Sequence, residues 1–284
     1  MSVQTMKPRV SKGQAKKIIL SVLYILVGFI FVTPLIWMLS TSFKYESQVF
    51  EKPFVLVHWE DINFNNYVYL ITESQVLTWL GNSIVVVVVS VLFRLLFAAF
   101  SGYAFGYLKF KYANVIFMFY LMTMFIPYQL SLLPQFIAFR FIGFLDTHWA
   151  LIVPNIVDVL SIFLMRQFFL TFPRDFIHAA YLEGSSVFRS FVRIALPLAK
   201  TPLLTLGILS FFMIWDQYYQ PLIFLKSPEK FTIPLGLHSF QTQFGLEYAK
   251  QMALACIAII PVLGTFIVLQ KQVVESIMSS GIKG

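Results

Sequence analysis

The sequence predicts an all-α integral membrane protein with six transmembrane helices, both termini cytoplasmic, and an amphipathic helix between spans four and five. Three observations carry this. The 284 residues are 58% hydrophobic and only 12% charged, against about 25% charged in a soluble domain. The apolar residues fall in six runs, each near the roughly 20 residues that cross about 30 Å of hydrocarbon. Lysine and arginine collect in alternate loops, the asymmetry that orients spans.

The first run, Ile18–Met38, follows the basic stretch MSVQTMKPRVSKGQAKK. It is too long for a signal-peptide core and no small-x-small site closes it, so it reads as a retained first span. The second, Ser83–Tyr103, holds Arg94. Ala98, Gly102 and Gly106 follow at four-residue spacing, a small-residue stripe that suits close helix packing. The third is Ala113–Leu133, extendable towards Phe139. The fourth, Trp149–Phe169, contains Pro154, Asn155 and Asp158, which lower its hydropathy. The fifth and sixth are Leu203–Leu225 and Met252–Leu269. The layout is a basic cytoplasmic segment over 1–17, a transmembrane domain over 18–270 with a long loop at 171–201, and a cytoplasmic tail over 271–284.

One set of loops holds Lys7, Arg9, Lys12, Lys16, Lys17, Lys109, Lys111, Arg166, Arg174, Arg189, Arg193, Lys200, Lys271 and Lys283. The other holds Lys44, Lys52, Arg140, Lys226, Lys230 and Lys250, together with most of the acids. The Lys/Arg-rich set is the cytoplasmic one. The net charge of +8 therefore reads as membrane topology, and nucleic acid is not an expected partner. Cys256 is alone, which excludes an internal disulfide or a cysteine metal site. His58, His148, His178 and His238 are scattered and form no HExxH, so no metal site is expected. There is no GxxxxGK[ST] and no GxSxG, and no internal repeat of the kind found in many secondary carriers.

Ionisable residues within spans are costly and mark interior or pathway positions. Asn155 and Asp158, three apart, are expected to share a helix face, either lining a path or bonding between helices. Trp215, Asp216, Tyr218, Tyr219 and Gln220 form an aromatic and polar cluster. Rings, a carboxylate and an amide suit the C–H faces and hydroxyls of a sugar. The same cluster also suits a buried Asp that caps a broken helix or anchors a neighbour. Arg94 is expected to pair with Asp158 or Asp216, or to face a partner chain, in a structural role.

The loop Phe172–Pro202 reads FPRDFIHAAYLEGSSVFRSFVRIALPLAKTP. A helix-compatible stretch runs from Pro173 to Leu182 and breaks at Gly184, Ser185 and Ser186. A second stretch, Val187–Leu196, has one apolar stripe (Phe188, Phe191, Val192, Ala195), with Arg189 and Arg193 on another face. Such an amphipathic pair can lie on a membrane or dock into a partner.

The pattern Ala179-Ala180-x-x-Glu183-Gly184, with Leu196-Pro197 and Pro202 downstream, resembles the EAA loop of bacterial ABC-importer permeases. Ala179, Ala180, Gly184 and Ser186 match the form of the sugar-importer members. His178 stands where they have Glu, and Glu183 where they have Asp. The stretches Pro127 to Pro134, Gly143 to Thr147, Trp215 to Pro221, Ile233 to Gly236, Gln241-x-Gln243 and Gly281 to Gly284 are similar in order and spacing. Together they resemble the second, six-span permease of carbohydrate importers, like the maltose system's smaller permease.

This resemblance implies a bacterial inner-membrane transport subunit, not an enzyme. It implies a second permease, two cytoplasmic ATPases carrying ATP and Mg, and an extracellular solute-binding protein that delivers a di- or oligosaccharide. No cofactor is expected in this chain. His178, Ala179, Ala180, Glu183, Gly184 and Ser186 would form the ATPase contact, and the tail from Val274 would also approach the ATPase pair. Small residues allow close approach there, and Gly184 a turn without steric cost. A neutral His178 can still hydrogen-bond, whereas a charged one inverts the sign of the family's Glu. The competing expectation is an ion-coupled carrier or channel with Asp158, Arg94 and Asp216 as a relay. A membrane enzyme using Asp216 or Glu183 as a base lacks the paired carboxylates such chemistry uses.

Overall fold

The protein is seen in a computed structural model that describes residues 12–51, 56–57, 59–243 and 247–281. The basic stretch up to residue 11, Lys52, His58 and the last three residues lie outside the described residues. Described segments are helical in chain order: α1 (Lys12–Ser42), α2 (Glu46–Glu51), α3 (Asn65–Thr72), α4 (Val76–Gly106), α5 (Ala113–Met122), α6 (Tyr128–Ile142), α7 (Trp149–Ile156) and α8 (Val159–Leu170). They continue as α9 (Asp175–Leu182), α10 (Val187–Ser190), a π-turn at Phe191–Ala195, α11 (Leu196–Leu198), α12 (Lys200–Trp215), α13 (Tyr219–Phe224), α14 (Ile233–Gln243) and α15 (Tyr248–Gly281). No strand occurs among the described residues. In α4 the run Ile84–Val89 is β-branched throughout yet helical, because in hydrocarbon only a helix satisfies every backbone group within one segment.

Four helical stretches are long and apolar enough to cross a membrane: Lys16–Ser42, Val76–Gly106, Trp149–Leu170 and Tyr248–Gln270. Two bent pairs raise the number to six if each is one span. Ala113–Phe125 and Tyr128–Ile142 meet at 101°, and Val187–Leu198 and Lys200–Trp215 at 72°. The third span is thus not the straight Ala113–Leu133 helix expected. Pro127 pushes Ile126 into extended backbone (φ −78°, ψ 117°), because proline excludes the α region for the residue before it. The expected single helix Leu203–Leu225 is also divided. It stops at Trp215 and resumes at Tyr219. Pro221 offers no N–H and its ring opposes the carbonyl four residues back, so it is accommodated only in the first turn of a new helix.

The chain forms two compact units. The first comprises the described residues up to Tyr69 and the opening turns of α15 to Ile257. In α1 apolar side chains are exposed on every face, among them Tyr24, Ile25, Ile30 and Phe31, the pattern of a helix whose surroundings are apolar all round. The segment after α1 is folded back by polar bonds. Ser42 Oγ and Tyr67 Oη lie 2.7 Å apart, and Asn66 Nδ2 donates to the Ser42 and Lys44 carbonyls. Glu46 accepts from the N–H groups of Tyr248 (2.8 Å) and Ala249 (3.0 Å). A remote carboxylate thereby satisfies two orphan donors at the start of α15 and complements its dipole.

The second unit is built on α4, which packs most closely against α8. Gly102 and Gly106 make that approach possible. A Cβ on Gly102 would run into Met165, and one on Gly106 would sit 2.8 Å from the Arg166 carbonyl oxygen and 2.9 Å from Phe169 Cβ. The small-residue stripe is therefore a packing seam, as its spacing predicts. The core falls into two apolar clusters along α4. One gathers Ala98, Ala99, Tyr103, Phe117, Met165, Phe169, Ile177 and Phe191. The other gathers Val86, Val87, Phe139, Leu151, Ile152, Ile214, Trp215 and Phe224. Arg94 lies on α4 between them.

Candidate functional site

The candidate span Trp149–Leu170 is interrupted near its middle, and a polar side chain meets the break on each side. Helix α7 ends at Ile156, followed by extended Val157 and Asp158 (φ −118°, ψ 124°). The Asn155 carbonyl, freed at this helix C-terminus, accepts from Arg94 Nε at 2.7 Å, and Arg94 Nη2 reaches Asn155 Oδ1 at 3.0 Å. A cation at a helix C-terminus is favoured by the macrodipole. On the far side, Asp158 is the N-cap of α8. Its Oδ2 accepts from Ser161 N at 2.8 Å and from Ser161 Oγ at 2.6 Å, an acid at a helix N-terminus.

Two expectations are corrected here. Asn155 and Asp158 do not share a helix face, because the helix stops between them. Arg94 pairs with neither Asp158 nor Asp216. Its acceptors belong to neutral Asn155, and it forms no ion pair among the described residues. The relay of Asp158, Arg94 and Asp216 is not assembled.

Asn155 spreads the network to the break between α12 and α13. Its Nδ2 donates to Gln217 Oε1 at 2.9 Å, and Gln217 Nε2 donates back to Asn155 Oδ1 at 2.9 Å. Asn155 Nδ2 also lies 3.3 Å from Gln220 Oε1 and 2.8 Å from the Leu151 carbonyl. Arg94, Asn155 and Gln220 are buried, so a buried cation is solvated by fixed amides rather than by a counter-charge. Arg94 Nη1 alone of the guanidinium nitrogens has no protein acceptor. Gln217 was not among the expected site residues. Its signal was its place in the polar run Asp216-Gln217 at the start of the Pro221 break.

The aromatic cluster of residues 215–220 divides rather than converging. Trp215 is buried and stacks on Phe211 with centroids 5.6 Å apart, and Gln220 belongs to the buried network. Asp216 is exposed at the break between α12 and α13, and Tyr219 is 56% exposed. Tyr218 is half-buried and meets the His238 ring edge-on at 5.3 Å. A carboxylate and one tyrosine, Tyr219, therefore remain exposed at a helix interruption, with Tyr218 half-buried beside them.

In the long loop, α9 and α10 form the expected helix–turn–helix. Gly184 has φ +82°, Gly184 N donates to the Tyr181 carbonyl at 3.0 Å and Ser185 N to the Ala180 carbonyl at 2.9 Å. This pair of bonds is the Schellman ending, which calls for a left-handed residue at the position of Gly184. Ser186 N-caps the next helix through Arg189 N at 3.3 Å. Ile177 is fully buried against Phe191 and Ala195. That anchor turns Ala179, Leu182, Glu183 and Gly184 outward, with Leu182 91% exposed. The His178 side chain lies outside the described residues.

The turn between α6 and α7 is tied to the one between α13 and α14. Asp146 accepts from Lys226 N (2.9 Å), Ser227 N (3.0 Å), Ser227 Oγ (2.6 Å) and Lys230 Nζ (2.9 Å). Trp79 Nε1 and Asn82 Nδ2 hold the same segment at Pro228, Glu229 and Phe231. Burial alone would raise the Asp146 carboxyl, but the donors from Ser227, Lys226 and Lys230 outweigh it and hold the group well below its usual value of 3.8. A depressed folded-state pKa gives stability that is fully present above about pH 4 and drains away as pH falls below it. Asp146→Asn should therefore lower stability by about 1–2 kcal/mol at neutral pH. Melting curves of both chains should converge as pH drops below about 4. A gap that stays constant in that range would refute the ionised clamp.

The model of the family described as binding-protein-dependent transport system inner membrane component matches residues 95–279. The chain belongs to this family. The match takes in the breaks between α7 and α8 and between α12 and α13, and the helix–turn–helix. This permease is 30% identical over 268 residues to the arabinooligosaccharides transport system permease protein AraQ of Halalkalibacterium halodurans, covering 94% of this chain and 96% of that one. It is 26% identical over 260 residues to the diacetylchitobiose uptake system permease protein NgcG of Streptomyces coelicolor, covering 90% and 85%. Its fold is similar to that of a chain in the crystal structure of a bacterial ABC transporter involved in the import of alginate. The TM-score there is 0.80 at 24% identity, covering 93% of this chain and 99% of that one. The permease is a multi-pass protein of the inner membrane.

Proposed function

We propose that this permease is one of two membrane-spanning subunits of an ATP-driven importer for a di- or oligosaccharide. It forms the translocation path with a second permease, in six spans with both termini in the cytoplasm. An extracellular solute-binding protein delivers the sugar. Two cytoplasmic ATPases hold ATP and Mg and grip the loop of His178, Ala179, Ala180, Glu183, Gly184 and Ser186. The observation that carries this reading is the outward face of α9. In a chain of this family, a helix anchored by buried Ile177 leaves Ala179, Leu182 and Gly184 exposed. Small residues there let another helix approach closely. The carbohydrate class rests on relatives named for arabinooligosaccharides and diacetylchitobiose. Asp216, Tyr218 and Tyr219, set at an interrupted helix, are the candidates for touching the sugar. Trp215, Gln217, Gln220, Asn155 and Asp158 support the path from behind. The ion-coupled alternative loses its support because Arg94 is committed to Asn155.

Reconstitution tests this directly. Sugar-stimulated ATP hydrolysis in proteoliposomes should require this chain, a second permease, the ATPase and the binding protein together. Uptake by this chain alone, driven by an ion gradient and indifferent to ATP, would reverse the assignment.

A further inference from the structure

Between α4 and α5 the chain turns through residues 107–112, with Tyr112 in the left-handed region at φ 66°. This turn and the end of α8 enclose a cleft of about 430 Å³. Lys109, Lys111 and Arg174 line it, and no carboxylate does. All three cations are exposed, and none is ion-paired among the described residues. The guanidinium of Arg174 stands 5.8 Å from the centre of the Tyr107 ring. Ala113 and Asn114, the first residues of α5, complete the polar side, adding the positive end of a ten-residue helix to three positive side chains. Phe105, Leu108, Phe110 and Leu170 give the cleft an apolar lining beside these charges. Phe110 and Leu170 remain 43% and 45% exposed.

The level of this cleft in the fold is as informative as its charge. It opens where α4 and α8, two spanning stretches, both end, which is the boundary between hydrocarbon and headgroups. Unpaired cations beside an exposed apolar wall at that depth match a molecule with a phosphodiester at one end and acyl chains at the other. A free anion would leave the apolar wall unused. We propose that this cleft binds an anionic phospholipid, with its phosphate among Lys109, Lys111 and Arg174 and an acyl chain along Phe110 and Leu170. Basic pockets at span ends are suited to such headgroups. The site is independent of the solute carried.

The full chain, purified in zwitterionic detergent and followed by native mass spectrometry, should retain phosphatidylglycerol and not phosphatidylcholine. Neutralising the cleft with Lys109→Gln, Lys111→Gln and Arg174→Gln together should weaken retention by about a hundredfold, roughly fivefold for each cation. The charge-keeping set Lys109→Arg, Lys111→Arg and Arg174→Lys should preserve it. Rising salt should strip the lipid from the unaltered chain, a readout that does not depend on the folding of any variant. Equal retention by the neutralised chain, or indifference to salt, would overturn the proposal. Displacement by millimolar inorganic phosphate would also overturn it, marking a site for a soluble anion. So would loss of a co-purifying ATPase from the neutralised chain with lipid retention intact, marking a protein-docking face.

Discussion

Gly184→Val should release the ATPase from the membrane complex while leaving this permease inserted, whereas Gly184→Asn should be tolerated. At φ +82° a β-branched residue meets a steric penalty of about 1–2 kcal/mol or more, which Asn largely escapes. Relieving it would require undoing the bonds from Gly184 and Ser185 to the end of α9, so the helix would lose its ending and its aim. Ala179→Glu tests the same surface without touching the turn. Ala179 points outward, so a larger, charged side chain leaves the buried anchor Ile177 in place and obstructs only an incoming helix. Co-purification of the ATPase should fall at least about tenfold in both damaging variants, the equivalent of about 1.4 kcal/mol. Undiminished ATPase in the pull-down, with the chain still in the membrane fraction, would remove α9 from the coupling contact.

Asn155→Leu should destabilise the permease by about 3–5 kcal/mol, far more than Arg94→Met at about 1–3 kcal/mol. The asymmetry follows from which orphan each change leaves. Without Arg94, the Asn155 carbonyl loses one donor, while its side chain keeps Gln217. Without Asn155, a guanidinium 5% exposed keeps its charge and loses the side-chain acceptor, in surroundings where an uncompensated charge is expensive. Adding Arg94→Met to Asn155→Leu should therefore recover part of the loss, a coupling that separate sites do not show. Unfolding in mixed micelles measures all three. Additive effects, or a worse outcome for Arg94→Met than for Asn155→Leu, would show that the amides are not what solvates the cation.

The parts of the fold legible beforehand were those that depend on local pattern. Apolar runs marked the crossing segments because the bilayer sets their length. Ala98, Gly102 and Gly106 marked the seam with α8 because only small residues permit that approach. The turn at Gly184 was visible in its own residue. The interruptions were legible only in hindsight: Pro127, Pro154 and Pro221 stood in the runs, but hydropathy averages over them. The error over Asn155 and Asp158 came from the same source, since a three-residue spacing means one face only on an unbroken helix. Arg94's partner was hidden for another reason. Charge arithmetic looks for an acid, and the acceptor is an amide and a carbonyl brought near by tertiary packing 61 positions away. Gln217 is not legible in the sequence because an amide announces no chemistry until something is opposite it.

The seam between α4 and α8 restricts how this permease changes shape. With the backbone of one helix against the Met165 and Phe169 side chains of the other and no gap for a single methyl group, neither can slip lengthwise without driving a side chain into main chain. The two travel as one rigid strut. In the importer proposed above, reorientation would then fall to the helix breaks at residues 126–127, 157–158 and 216–218.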